Sequence, residues 1–168
     1  PETLPSVAES TGHRSSVQLI DVDLHSPEYG TRRPIWTSFR AAGGLYVLPN
    51  TLRWMPALGH PLRPRTQYAL VVTHALRSFD GGDIGAPPAL RQVVGVDDPD
   101  PDMMSLRDEL AAAVALIGEL GTRPSAIRHL SVFTTGADTT LPEWLFSRTA
   151  TNYSPLVPAV AVIATVAS

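Results

Sequence analysis

The sequence predicts a mainly β protein, an antiparallel β-sandwich with one inserted α-helix at about residues 105–121. Three observations predict this fold. Short segments with apolar residues at every second position recur from residue 17 to residue 73, separated by Pro- and Gly-rich turns. The apolar period then changes to that of a helix near Ser105. Alternation returns at residues 126–135, so the helix interrupts a series of strands.

The chain length suits one domain with tails. At 168 residues, the chain is long enough for one hydrophobic core, and 43% hydrophobic with 17% charged residues is typical of a folded protein. Residues 1–15 mix Pro, Ser, Thr and charge without an apolar period, which predicts a linker or arm. We therefore assign residues 16–136 to the sandwich and residues 137–168 to a C-terminal extension.

The first predicted strands lie before residue 56. Residues 17–24 (VQLIDVDL) place apolar side chains on one face and two aspartates on the other, which predicts a half-buried strand. Residues 35–41 (IWTSFRA) predict a second strand. Two short strands follow at 45–48 and 51–55, around a Pro-Asn turn. Four short strands in succession favour a sandwich.

The next strand carries a structural tyrosine. In residues 62–73 (LRPRTQYALVVT), the side chains that share a face with Tyr68 occur at every second position. A tyrosine near the start of such a strand can bend back and hydrogen-bond to the backbone of the preceding turn, which forms a tyrosine corner. We therefore assign Tyr68 a structural role, with its ring inside the sandwich.

Capping signals bound the predicted helix. Ser105 with Asp108 three residues later forms a capping box, and apolar residues follow one helix face up to Gly121, which ends the helix. We expect this helix to cover an edge of the sheet. Residues 90–96, in the loop before it, predict a brief extended piece.

Three segments taken together carry a resemblance: the opening LIDVDLHSPEYGTRRP, the central NTLRWMPALGHPLRPRTQYALVVTHALRSFDG and the closing IRHLSVFTT. They resemble a bacterial immunoglobulin-like or fibronectin type III-like domain, of the type that precedes the catalytic part of exported lipases and other α/β-hydrolases. The resemblance covers residues 17–135 and implies a spacer, docking or adhesive domain beside another functional domain. The tail after Gly136 contains no recognisable hydrolase sequence.

Composition narrows the function classes. A net charge of -3 provides no broad positive field for a phosphate backbone, so we expect no nucleic-acid partner. The chain has no lysine and no cysteine, which removes Schiff-base catalysis, P-loop phosphate binding, thiolate metal sites and disulfides. The apolar run at residues 156–167 is shorter than the roughly 20 residues that span a bilayer, so we expect no membrane span. This run predicts instead a buried strand of this domain, of a following domain, or of a neighbour's sheet.

One acidic stretch has part of a calcium-loop pattern. Asp98, Asp100 and Asp102 occupy positions 1, 3 and 5 of such a loop, and Glu109 occupies position 12. Position 6, which needs glycine for the sharp turn, is Met103. The interpretation we favour is that these carboxylates solvate a loop and face the positive end of the helix dipole. No cofactor is therefore expected, and calcium is the alternative.

Three aromatic residues on adjacent predicted strands suggest a second candidate site. Trp36, Trp54 and Tyr46 could present flat faces to sugar rings, as in a carbohydrate-binding platform. Core packing is the favoured interpretation, because a sandwich must fill its interior with bulky residues. Two coplanar rings facing solvent would support the platform.

The sequence gives no indication of catalysis in this chain. It contains no Gly-x-Ser-x-Gly nucleophile elbow, and its five histidines are scattered without the short spacing of a metal pair. The function we expect is a non-catalytic accessory domain of an exported bacterial protein, located outside the cytoplasm. Its expected partner is an adjacent domain of the same polypeptide or another protein. The alternatives are a fragment of a secreted lipase- or esterase-type hydrolase and a carbohydrate-binding module.

Overall fold

Two β-sheets face each other in the computed structural model, which describes residues 3–45, 48–78, 80–136 and 161–164. Sheet A has the strand order β2-β1-β5-β6, and sheet B has the order β3-β4-β7. The elements are β1 (Val17–Asp21), β2 (Arg32–Arg33), β3 (Ile35–Arg40), β4 (Thr51–Pro56), β5 (Gln67–Thr73), α1 (Pro88–Val93), α2 (Pro101–Glu119), β6 (Ile127–Thr134) and β7 (Ala161–Ala164). The expectation of a mainly β protein with two layers of sheet is confirmed at this level.

One strand pair departs from the expected antiparallel arrangement. Every neighbouring pair of strands named above is antiparallel except β4 and β7, which run parallel with Thr51 opposite Ala161. Parallel neighbours need a long crossover connection, and these two strands are far apart in the chain. Part of the C-terminal apolar run forms β7, which lies at an edge of sheet B and therefore belongs to this domain's own sheet.

The core between the sheets contains three aromatic rings. Tyr68, from sheet A, lies against Phe133 with 6.1 Å between ring centroids, and Trp54, from sheet B, lies 5.8 Å from the same Phe133. Val17, Leu19, Leu70 and Val72 of sheet A pack around them together with Ile35 and Leu52 of sheet B. The two sheets are therefore held by a continuous apolar layer.

Helix α2 covers a face of sheet A, which corrects the expectation that it would cover an edge. Its buried residues Ala113, Leu116 and Ile117 join a second core with residues of β1, β5 and β6. As a result all five residues of β1 are buried, and the prediction that this strand is half-buried was wrong. The strand also ends at Asp21, three residues earlier than predicted.

The predicted boundaries of α2 were also wrong. The helix begins at Pro101 and ends at Glu119, so Ser105 lies inside it, and Asp100 is the N-cap residue. Proline suits the first helical position, because its fixed φ is helical and the missing N–H would have no partner there. The extended piece predicted at 90–96 is instead the short helix α1. No helix among the described residues is long and apolar enough to cross a membrane.

A series of side-chain hydrogen bonds, partly buried, connects the end of α2 to sheet A. Arg32 donates one hydrogen bond to the carbonyl of Leu120, just after the helix, at 2.8 Å, and a second to Gln18 Oε1, also at 2.8 Å. Gln18 is fully buried and donates in turn to the carbonyl of Ser15 at 3.0 Å. The guanidinium thus satisfies a carbonyl that a helix end leaves without an intrahelical partner.

The N-terminal segment, predicted as a linker or arm, packs against both sheets. The buried Ser10 accepts a hydrogen bond from the Ile35 N–H at 3.0 Å, and Thr3 Oγ1 accepts one from the Arg77 N–H, also at 3.0 Å. Leu4 packs against the core between the sheets. The segment is therefore a closely packed arm that contacts β1, β2 and β3.

Candidate functional site

Tyr68 lies where the sequence places it. Its side chain is fully buried, and its hydroxyl oxygen accepts a hydrogen bond from the Arg63 N–H at 3.1 Å, which is the contact expected of a tyrosine corner. Burial raises the pKa of Tyr68 above its ordinary value, since the phenolate would be poorly solvated there. Thr135 Oγ1 accepts a further hydrogen bond from the Thr66 N–H at 3.0 Å and fixes the same turn to the end of β6. This site organises structure at the end of sheet A.

The loop after β1 is organised by a buried and a half-buried carboxylate. Asp21 is fully buried, and its Oδ2 accepts a hydrogen bond from Ser26 Oγ at 2.5 Å. Asp23 accepts hydrogen bonds from the His25 N–H at 2.9 Å and from the Gln67 N–H at 3.3 Å. These bonds hold Asp23 and His25 beside the first residue of β5.

The three aspartates of the partial calcium loop do not converge. Asp100 N-caps α2, and its Oδ2 accepts a hydrogen bond from Gln92 Nε2 at 2.9 Å. Asp102 is in the first helical turn, and Asp98 is an exposed residue of the loop before it. Within the ranges that the structure describes, no three acidic or imidazole side chains are placed to share a metal ion.

The aromatic platform does not assemble from Trp36 and Trp54. Trp54 lies opposite Thr37 in the register of β3 and β4, so Trp36, one residue earlier, points to the other face of sheet B. Trp54 is buried in the core, whereas Trp36 is 48% exposed. Tyr46 lies outside the described residues. Of the two tryptophans, only Trp36 is available to a ligand.

One histidine occupies an unusual environment. His129 lies on β6 opposite Val72, which places its ring on the inner face of sheet A. The residue keeps some exposed surface, but its Nε2 is out of reach of solvent and has no hydrogen-bond partner in the described part of the chain. Burial disfavours the imidazolium and lowers the pKa of His129 to about 4. The ring is therefore neutral at ordinary pH.

Sequence reasoning missed a cleft of about 320 Å³ between α2 and the end of sheet A. It is lined by Val22, Asp23, Leu24, His25, Gln67, Glu109, Leu110, Ala112, Ala113, Val132 and Thr134. These residues come from two strands, a loop and a helix, so no local pattern could have grouped them. Only the placement of α2 on a face of sheet A brings them together.

Sequence reasoning also missed the concentration of exposed apolar side chains around the β3–β4 hairpin. Leu45 and Leu48, in the connection between the strands, are 87% and 64% exposed, and Leu58, just after β4, is 87% exposed. Leu58 lies in a tight turn in which the His60 N–H donates to the Ala57 carbonyl at 2.9 Å, with Gly59 at φ +81°. We call Trp36, Leu45, Leu48, Met55 and Leu58 the hairpin surface.

The hairpin surface has two ends. Leu45 and Leu48 lie at the tip, while Trp36 lies opposite Met55 near the base, and Leu58 follows the end of β4 by two residues. Trp36 is four residues from Arg40, where β3 ends, which corresponds to about 13 Å. The surface can therefore contact a partner at two separated apolar points. No protein-family model, curated protein or solved structure matches this chain.

Proposed function

We propose that this chain is a non-catalytic accessory domain of an exported bacterial protein, and that it docks against an adjacent domain of the same polypeptide. The observation that carries the proposal is the hairpin surface, where Leu45, Leu48, Leu58 and Trp36 expose large apolar side chains around one element. Concentrated apolar exposure of this kind marks interaction sites on soluble proteins. The resemblance to domains that precede exported hydrolases supports the choice of a neighbouring domain as the partner.

The energetics suit a contact within one polypeptide. Burying one leucine side chain fully contributes roughly 1.5 to 3 kcal/mol, so a few such contacts offset only part of the cost of bringing two separate proteins together. A covalent link to the partner raises its effective concentration to the millimolar range. At this effective concentration, a surface with two apolar points is sufficient for docking. Trp36 is a tryptophan, a residue type enriched among those that contribute most of the binding energy at interfaces.

Hydrogen–deuterium exchange tests this proposal directly. Exchange is compared between the isolated 168-residue chain and the complete gene product, at the tip of the hairpin and in the turn at residues 57–60. We expect slower exchange at both places in the complete product, because docking excludes water from these backbone amides. Equal exchange rates in the two proteins would contradict docking through the hairpin surface.

A matched pair of double variants makes the test specific. Leu45→Ser with Leu48→Ser removes the tip contact, and Met104→Ser with Leu106→Ser removes two exposed apolar side chains from α2. In the complete gene product, we expect the Leu45/Leu48 double variant to restore fast exchange in the hairpin and the Met104/Leu106 double variant to leave it slow. The same exchange rate in both double variants would show that the hairpin surface has no special role.

The two rival functions make different predictions. A hydrolase fragment predicts ester hydrolysis by the isolated chain, and such activity would contradict the non-catalytic proposal. A carbohydrate-binding module predicts retention on polysaccharide that is lost in Trp36→Ala, since Trp36 is the exposed one of the two tryptophans assigned to the platform. Retention that depends on Trp36 would replace docking with sugar binding as the role of this surface.

A further inference from the structure

The cleft between α2 and sheet A exists because only half of the helix packs on the sheet. The buried residues of α2 are Ala113, Leu116 and Ile117, all in its second half. In its first half, Met104 is 53% exposed and Leu106 is 42% exposed. The first turns of α2 therefore overhang the end of sheet A, and the space between them is the cleft of about 320 Å³.

The floor of the cleft is apolar. Val132 of β6 and Val22, just after β1, lie on the face of sheet A that is turned towards α2, and Leu110 and Ala113 line the cleft from the helix. Leu24 contributes a largely exposed side chain to the lining. An aliphatic group of a few carbons would be desolvated against this floor.

The polar part of the lining contains two carboxylates beside His25, Gln67 and Thr134. Asp23 and Glu109 contribute carboxylates from the loop and the helix, and neither arginine nor lysine lines the cleft. Asp23 is held in place by the backbone N–H groups of His25 and Gln67. Neither carboxylate forms an ion pair within the ranges that the structure describes. A cation entering the cleft would therefore meet two carboxylates, and His25 is the one basic side chain in the lining.

We propose that the cleft binds a guanidinium group carried on a short aliphatic stem, as in an arginine side chain or a small alkylguanidine. The planar guanidinium has five N–H donors and binds carboxylates from more than one side, while its stem covers apolar surface. A volume of about 320 Å³ equals that of about ten water molecules in the liquid, which is room for such a group.

The test titrates the isolated chain and follows backbone amide signals by NMR. The probes are pentylguanidine, as the small guanidine, and a capped Gly-Arg-Gly peptide, as the protein-borne form. Pentylurea, which is planar and uncharged, is the control ligand. We expect the amides of residues 22–25 and 109–113 to shift with at least one guanidinium probe and not with pentylurea. With few contacts available, we expect a Kd on the order of 1 mM.

Two variants and one control locate the site. Glu109→Gln removes a charge from an exposed helix residue and should weaken binding roughly tenfold, because it removes a charge-assisted hydrogen bond. Ala112→Leu fills the cleft without changing its charge and should abolish binding. Glu119→Gln changes the same residue type on the same helix, away from the cleft, and should leave binding unchanged. Circular dichroism checks that each variant keeps its helix content.

The titration decides whether the cleft binds a guanidinium group, and its result does not depend on the hairpin surface. Binding of the peptide alone would support an arginine borne by a protein, and binding of pentylguanidine would show that a small guanidine is sufficient. No shift with either probe, or equal affinity in Glu109→Gln and wild type, would overturn the proposal. Because the titration uses the isolated chain, its result does not depend on docking in the complete gene product.

Discussion

Sheets A and B differ in how their faces are covered. In sheet A, β1 is buried at all five positions and β5 is buried at six of its seven, because one face meets sheet B and the other meets α2. In sheet B, Ile35 is the only buried residue of β3. Sheet A is therefore the more deeply packed of the two, whereas the hairpin of sheet B carries exposed apolar side chains.

The residue composition of β5 in sheet A and of β4 in sheet B reflects this difference in burial. The central part of β5 reads YALVV, a run without polar residues, which is typical of a strand covered on both faces. In β4, by contrast, the buried Trp54 lies between the half-buried Arg53 and Met55. A polar or charged residue is tolerated at every second position only where one face meets solvent.

The strongest test of this comparison substitutes adjacent residues of β5. Leu70 packs towards sheet B and Val71 packs towards α2. We expect Leu70→Ala to lower the free energy of unfolding by about 3 to 4 kcal/mol and Val71→Ala by about 2 kcal/mol, since each leaves a cavity in a core. Urea denaturation measures both. If either variant is as stable as wild type, one face of sheet A is not packed as described.

A second test uses pH to probe the space between the sheets. The folded chain holds the pKa of His129 at about 4, whereas a histidine in the unfolded chain titrates near 6.5. Between these values the unfolded state binds more protons, so the free energy of unfolding falls as the pH falls. Stability is full above pH 6.5, and we expect a loss of about 3 kcal/mol by pH 4.

The His129→Leu variant isolates this effect. Carboxylates with lowered pKa values, such as those of Glu9 and Asp97, also lose stabilising interactions in acid, but they are present in both proteins. The difference in pH dependence between wild type and variant therefore reports on His129. Urea denaturation at pH 7.5 and pH 4.5 gives the two free energies. Parallel pH profiles would mean that the ring is accessible to solvent.

The third test removes a single hydroxyl from sheet A. Tyr68→Phe keeps the buried ring and deletes the oxygen that accepts the hydrogen bond of the Arg63 N–H. We expect a loss of about 1 kcal/mol, since the freed N–H belongs to an exposed residue and can turn to water. Thermal and urea denaturation measure the change, and Tyr29→Phe, at a partly exposed tyrosine, is the control. An unchanged free energy of unfolding would mean that the corner does not stabilise the fold.

Local patterns predicted the elements better than their arrangement. The alternation around Tyr68 predicted the inward ring and a strand at residues 62–73, of which Gln67–Thr73 forms β5 and the first five residues form a turn. The burial of β1 on both faces could not be predicted, since it depends on where α2 packs. The start of α2 was misplaced because Ser105 matched a capping pattern, while Pro101 after Asp100 is a second valid start.

The candidate sites were harder to predict for the same reason. Trp36 and Trp54 lie on adjacent strands, but a difference of one residue in register puts them on opposite faces of sheet B. Asp23 and Glu109 are distant in sequence and meet only across the cleft. Exposure and proximity are properties of the tertiary fold, whereas the sequence reports mainly periodicity and residue type.

The smallest expected effect comes from Trp36, the exposed tryptophan of the β3–β4 pair. Trp36→Ala should lower the free energy of unfolding of the isolated chain by no more than about 1 kcal/mol, because about half of its surface is already in water in the folded chain. Trp54→Ala, on the neighbouring strand, should cost about 3 to 5 kcal/mol, since its ring fills the core beside Phe133. Urea denaturation of both variants measures the contrast. A cost above about 2 kcal/mol for Trp36→Ala would mean that the ring packs within this chain, and the proposed docking would then lack its aromatic contact.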